Sequence, residues 1–251
     1  MAPKSFFRVL NLLERSAAYA QGKGYGAATI EQEVNLLHSF LKSLPKLAID
    51  IGGNIGNYTA ELRKRNPDLE IHTFEPSATN IAKLDARFKG DSLIKIVPLA
   101  VSDMAGSATL FANEPGSGLG SLTKRRLDHF NIAFDAQETI KTIRFEDYWK
   151  DRLQSRRLDM VKIDVEGHEL ATLKGFGEAL GATRVLQFEF GGSNIDTRTY
   201  FQDFWYLFKE QKFDIYRVTP FGSEKMTQYA ESDEFFSTSN YLAVNQRKMS
   251  A

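Results

Sequence analysis

Apolar positions change their spacing near Pro45. Before it, Ile30, Val34, Leu37, Leu41 and Leu44 recur at helical intervals, with Thr29 and Gln32 placed for a capping box, and residues 5–20 carry a similar helical pattern. Gly22, Gly24 and Gly26 separate the two segments and Pro45 ends the second, so a small helical cap is expected over residues 1–44. After Pro45, short β-branched runs alternate with amphipathic stretches. Leu47–Ile51 is followed by a helix to about Asn66, Glu70–Phe74 by a helix to about Phe88, and then comes Leu93–Val97. The alternation lapses from Ser107 to Trp149, where strands near 107–112 and 139–143 flank a glycine-rich stretch. It resumes with Met160–Val165, a helix from His168, Arg184–Phe190, a helix across 198–210, and strands near 213–218 and 240–244. Strands spaced by helices imply βαβ units and a parallel sheet. Residues 45–251 are therefore read as one α/β domain, without an internal repeat or low-complexity linker.

Composition narrows the chemistry. The chain has 251 residues, with 32 Lys plus Arg against 32 Asp plus Glu. A general nucleic-acid binder needs a basic surplus, so no nucleic-acid partner is expected. The absence of cysteine excludes disulfides, thiol nucleophiles, Fe–S clusters and cysteine-containing zinc sites. No apolar run approaches the ~18 residues that span a bilayer, and Val9-Leu10 with Leu12-Leu13 is too short for a signal sequence core. A soluble, cytoplasmic protein is expected.

The first strand-to-helix junction reads Asp50-Ile51-Gly52-Gly53-Asn54-Ile55-Gly56-Asn57-Tyr58. Gly52 and Gly56 allow a tight turn and close approach of a ligand to backbone, with a helix N-terminus next to it. The glycine spacing fails the dinucleotide fingerprint, and Gly56 is followed by Asn57 rather than the Lys-Ser/Thr of a phosphate loop. Asp50 in the turn would repel a pyrophosphate and welcome a cation. S-adenosylmethionine carries a sulfonium, an ammonium and no phosphate, which suits this arrangement. Glu75, in Phe74-Glu75-Pro76, ends the second strand, where an acid accepts both ribose hydroxyls of a nucleoside.

A second constellation leaves a buried strand as Met160-Val161-Lys162-Ile163-Asp164-Val165-Glu166-Gly167-His168-Glu169. Ligands of open α/β sheets bind outside the carboxyl ends of strands. If the chain stays extended through Gly167, period-two spacing aims Asp164, Glu166 and His168 to one side. His168, with an ordinary pKa near ~6.5, is the first choice for a general base. Asp164 and Glu166 are site residues of open role, either holding a cofactor ammonium or an acceptor hydroxyl, or serving as the base. Glu189 is a further ligand or hydroxyl binder. Carboxylate oxygens are the ligands that Mg²⁺ takes, but acids beside a cationic cofactor already have a use, so no metal is expected.

These segments, with Ala100-Val101-Ser102-Asp103, resemble the FkbM family of S-adenosylmethionine-dependent methyltransferases over about Leu47 to Asn245. The resemblance implies a class I methyltransferase fold, a Rossmann-like seven-stranded, mostly parallel sheet with helices on both faces and an antiparallel last strand. It implies O-methylation of a hydroxyl on a sugar, glycolipid, polyketide or similar metabolite. It would set Asp50, Gly52 and Asn54 along the methionine moiety and Glu75 under the ribose. Ser77 and Asn80 would flank the nucleoside, with Ser102 and Asp103 near the adenine amine.

Weaker signals have plainer readings. Residues 116–126 form a loop able to close over an acceptor, and Lys124, Arg125 and Arg126 are read as a solvated cluster. Tyr200, Phe201, Phe204, Trp205 and Phe208 have helical spacing and are read as core. The N-terminal helices offer an acceptor lid or a homodimer surface. The alternative function is a catalytically silent nucleoside-binding or partner-binding module on the same fold.

Overall fold

The computed structural model describes residues 4–26 and 30–247, so Thr29, the expected capping residue, lies outside the described residues. α1 (Lys4–Ala20) and α2 (Ile30–Ser39) precede the sheet. The βαβ units then follow as β1 (Leu47–Ile51), α3 (Asn57–Arg65), β2 (Glu70–Phe74), α4 (Ala78–Arg87) and β3 (Ile94–Val97). The irregular middle contains β4 (Ala100–Val101), β5 (Gly106–Ala112), β6 (Ala136–Ile143) and α5 (Phe145–Asp151). The second half runs β7 (Leu158–Ile163), α6 (Glu169–Gly175), α7 (Glu178–Ala182), β8 (Thr183–Phe190), α8 (Ser193–Thr197), α9 (Phe201–Glu210), β9 (Phe213–Thr219), β10 (Gly222–Met226) and β11 (Ser239–Asn245).

Among the described residues, eight strands form the main sheet in the order β10-β9-β11-β8-β7-β1-β2-β3. β1, β2, β3, β7 and β8 pair in parallel, while β11 runs antiparallel between β8 and β9. This is the expected seven-stranded class I methyltransferase order with one strand added. β10, an antiparallel partner of β9, supplies the eighth at the edge. Its Gly-Ser-Glu-Lys-Met sequence lacks the apolar alternation that marks a strand, and its central residues are exposed, as an edge strand allows. The lapse in alternation after Ser107 becomes a separate sheet, β4-β6-β5, whose long β5–β6 connection crosses the carboxyl edge of the main sheet.

β1 and β7 are buried along their whole length because helices cover both faces. On one face α6 and α9 pack Leu173, Phe201, Phe204 and Phe208 against Ile163 and Phe188. Four of the five aromatic residues around α9 are buried as expected, whereas Tyr200 is exposed. On the other face α2 and α3 contribute Val34, Leu37, Tyr58 and Leu62. α2 is fixed further by Glu33, whose carboxylate accepts hydrogen bonds from Gln187 Nε2 (2.6 Å) on β8 and Asn240 Nδ2 (2.8 Å) on β11. α1 buries no residue. Among the described residues no helix is long and apolar enough to cross a membrane.

Candidate active site

The turn after β1 is built from backbone. Gly52 N–H and Gly53 N–H both donate to Phe74 O at 3.0 Å, locking the turn onto β2. Gly52 has φ 83°, and a Cβ there would lie 1.8 Å from Asp164 O, so only glycine lets the turns after β1 and β7 touch. Asn54, also left-handed at φ 48°, donates its N–H to Glu75 Oε2 at 2.8 Å. Glu75 Oε1 accepts Ser77 N–H at 3.0 Å. Burial pushes the Glu75 carboxyl up and these two bonds oppose the rise.

Beside this turn lies a cavity of about 270 Å³, lined by nine of the expected site residues: Gly52, Asn54, Glu75, Pro76, Ser77, Asn80, Asp164, Glu166 and His168. Asn54 Oδ1, Ser77 Oγ and Asn80 Oδ1 are buried without a hydrogen-bond partner. Buried polar atoms are rarely left unpaired, and three of them at one cavity mark a place for a polar ligand. Apolar walls come from Leu99, Val101, Leu110 and Leu122. A smaller hollow of about 140 Å³ adjoins it, lined by Gly53, Asn57 and Tyr58 among others, and shares Gly52, Asn54 and Asp164 with the first.

Five expected residues line neither hollow: Asp50, Gly56, Ser102, Asp103 and Glu189, the last standing beside the first cavity's Asp164 and Glu166. Asp50 lies within β1, fully buried, with Oδ2 accepting Thr59 Oγ1 at 2.6 Å; strand geometry turns it under the turn rather than out of it. Gly56 serves packing, since a Cβ there would meet the Phe88 ring at 2.5 Å. Ser102 and Asp103 lie behind the wall formed by Ala100 and Val101, with Asp103 exposed.

The turn after β7 is built from side chains. Asp164 N–H donates to Ile51 O at 3.0 Å, but Glu166 (φ 52°) and Gly167 (φ 98°) then reverse the chain. The extended path that would aim Asp164, Glu166 and His168 together is therefore absent. Asp164 and Glu166 instead converge with Glu189 from the end of β8, one carboxylate oxygen of each lying within 4.8 Å of the others. Lys162 Nζ donates to Asp164 Oδ2 at 2.9 Å and sits 4.9 Å from the centre of the Tyr58 ring. Burial would lower the Lys162 pKa, but Asp164 and Asp50 outweigh it and hold the ammonium charged. Arg125 Nη1 donates to Glu166 Oε2 at 2.6 Å, and Arg125 Nε lies 3.5 Å from Asp196. Arg125 is thus buried in ion pairs, while Lys124 and Arg126 are the solvated members of that cluster.

Glu189 has no hydrogen-bond or ion-pair partner among the described residues. Desolvation, then Asp164 and Glu166, push its carboxyl well up. Desolvation and Asp164 raise Glu166 to about 7 against the pull of Arg125. Glu169 braces the turn from beneath, with Oε1 accepting Val165 N–H and Gly167 N–H at 3.1 and 3.0 Å. Its other oxygen is unpaired, and burial raises it to about 7.

His168 turns away from the acids. Its Nε2 lies 2.9 Å from Ser102 Oγ, which donates to Asp103 Oδ1 at 3.1 Å. With the hydroxyl proton directed at Asp103, the imidazole Nε2 is the donor to Ser102. Burial lowers the His168 pKa and Asp103 opposes it. The long β5–β6 connection completes the cavity with Glu114 to Gly118 and Leu122, and Ser121 Oγ donates to Glu166 O at 2.7 Å. The glycines of 116–120 are the sequence signal for this wall, but nothing local announces the Arg125–Glu166 pair across 41 positions.

The methyltransferase FkbM domain matches residues 50–215. The chain is 28% identical over 197 residues to "Methyltransferase sdnD" of Sordaria araneosa, covering 66% of this chain and 74% of that protein. It is 22% identical over 196 residues to "2-O-methyltransferase NoeI" of Sinorhizobium fredii (strain NBRC 101917 / NGR234), covering 74% and 80%. The solved O-methyltransferase of Bacillus cereus in complex with SAH overlaps 98% of this chain and 93% of its own, with 11% identity and a TM-score of 0.44. With its domain matched from Asp50 to Ile215 and its strands in the class I methyltransferase order, the chain belongs to the FkbM methyltransferase family.

Proposed function

We propose that this protein is an S-adenosylmethionine-dependent O-methyltransferase acting on a hydroxyl of a sugar, glycolipid, polyketide or similar metabolite. The observation that carries this reading is one cavity lined by the Gly52 turn, Asn54 and Glu75 together with Asp164 and Glu166, the last two converging with Glu189 beside it. The relative NoeI, a 2-O-methyltransferase by name, supports the choice of oxygen as acceptor.

The residues present fit the cofactor. Glu75 keeps acceptor capacity for a ribose hydroxyl after accepting Asn54, Ser77 and the Asn80 side chain. The unpaired Asn54, Ser77 and Asn80 atoms take its remaining polar groups, and Leu99, Val101 and Leu110 offer apolar contact for the base. Asp164, on the same cavity wall, would pair with its positively charged end. When bound, S-adenosylmethionine supplies an electrophilic methyl on a sulfonium.

This chain must align the acceptor oxygen and receive its proton. Alignment contributes up to ~7–11 kcal/mol, and a positioned base ~3–5.5 kcal/mol. Lys162 pairs with Asp164 and Arg125 with Glu166, which leaves Glu189 as the acid of the three without a direct ion pair among the described residues. Burial and the neighbouring acids push the Glu189 carboxyl up, which makes its carboxylate a stronger base than a free one, so the proton goes to the acid cluster through Glu189. His168, committed to Ser102, is a positioning residue on the cavity wall. With two cations already matching two of the three acids, Mg²⁺ is not required.

Calorimetric titration with S-adenosylhomocysteine, with NAD as the control ligand, tests the reading. The expected result is binding of S-adenosylhomocysteine alone, weakened at least tenfold in Glu75→Ala, followed by a mass gain of one methyl on a hydroxylated acceptor. A folded protein that binds neither ligand would instead be the catalytically silent module.

A further inference from the structure

The fold leaves α1 unused. None of its 17 residues is buried, and Phe6, Phe7, Val9, Leu10, Leu12 and Leu13 stand 43–66% exposed. At about 3.6 residues per turn, Phe6, Val9, Leu10, Leu13 and Ala17 fall on one side of the helix and Lys4, Arg8 and Arg15 on the opposite side. None of these three cations has a partner among the described residues, and Glu14 is the lone acid of the helix. A chain of net charge zero thus ends one flank in an apolar, cationic rod about 26 Å long.

A second exposed aromatic lies at the same end of the molecule. Gly22, two residues beyond α1, approaches β9 so closely that a Cβ would lie 2.1 Å from Val218 O. Phe221, in the β9–β10 turn just past that contact, is 86% exposed.

Charge decides what covers this face. A second copy of the chain would bury the apolar side of α1 yet supply the three cations with a single acid per helix. An anionic bilayer answers both features, because a helix with Phe and Leu on one side and Lys and Arg on the other lies in the plane of the lipid interface. We propose that α1 is a membrane-surface anchor that seats this protein on anionic lipid, apolar side down, with Phe221 at its end. The helix lies on the bilayer and does not cross it.

The test is co-sedimentation of the full chain with vesicles of phosphatidylcholine plus phosphatidylserine, and with vesicles of phosphatidylcholine alone. Binding is expected on the mixed vesicles, weakening at high salt as the headgroup field is screened. Leu10→Glu with Leu13→Glu abolishes it. Arg8→Ala with Arg15→Ala weakens it roughly thirtyfold, each cation near the surface being worth about fivefold. Because α1 buries nothing, both variants keep the wild-type melting temperature. Absence of binding, equal binding to neutral vesicles, or a dimer in sedimentation velocity that Leu10→Glu with Leu13→Glu converts to monomer would overturn the proposal.

Discussion

The turns after β1 and β7 are neighbours, joined by the Asp164 N–H to Ile51 O bond, and they are built in opposite ways. The first exposes main chain: Gly52 and Gly53 have no side chains, Asp50 is hidden beneath them, and the acid that faces the cavity, Glu75, is borrowed from β2. The second exposes side chains, gathering Asp164 and Glu166 with Glu189 while Glu169 braces the backbone from below. The difference separates a surface made by shape from one made by charge. Damage to the first turn is steric and insensitive to pH, whereas the second responds to every change in proton occupancy.

The largest expected effect lies in the charged turn. Glu189→Gln should lower the methyl-transfer rate by ~10²–10⁴ while calorimetry finds S-adenosylhomocysteine affinity unchanged. An equal loss of affinity would merge the two turns into one binding site and break the contrast. Next comes the steric turn, where Gly52→Ala forces a Cβ against Asp164 O at a left-handed φ. A loss of about 3 kcal/mol in urea denaturation is expected, the same at pH 5 and pH 8.

Glu169→Gln sharpens the electrostatic half. The Glu169 carboxyl, at about 7, lies above its unfolded value near ~4.3, so between those values the folded chain holds a proton that the unfolded chain has released. Stability therefore falls as pH rises through that window, and the contribution is complete only below it. The wild-type protein should lose about 3 kcal/mol more than Glu169→Gln between pH 4.5 and pH 8, read from denaturation midpoints. The smallest effect is expected at His168→Ala, a rate loss under tenfold, because the imidazole serves Ser102. A loss of a hundredfold would return the proton to His168 and leave the acids as electrostatic partners only.

The sequence discloses backbone-made features better than side-chain convergence. β1 and β2 are read to the residue, since strands buried on both faces are continuous β-branched runs bounded by turn residues. The Gly52 turn and Glu75 are legible for the same reason: glycine spacing and a strand end are local facts. Asp50 lies inside β1 and not on the cavity wall, which the motif does not disclose because strand parity is what turns it inward. Asp164 and Glu166 line the cavity at the strand end the sequence marks, but the separation of His168 depends on a left-handed Glu166, and a non-glycine residue at positive φ leaves no local mark. Arg125 is read as solvated because its partners, Glu166 and Asp196, meet it only through the long β5–β6 connection. β10 is missed because a polar edge strand looks like a loop.

The place of β11 bears on how the chain folds as it is made. It is synthesised after both strands it lies between, pairing Tyr241 with Phe188 on β8 and with Arg217 on β9. Until residues 239–245 have emerged from the ribosome, β8 carries an open edge, the β9–β10 hairpin has no place in the sheet, and Glu33 on α2 lacks Asn240. The apolar edge of β8 is meanwhile exposed to whatever other strand is near. Pairing of those seven residues therefore closes the sheet, and before it the Gly52 turn between β1 and β2 can be made while the sheet is still open.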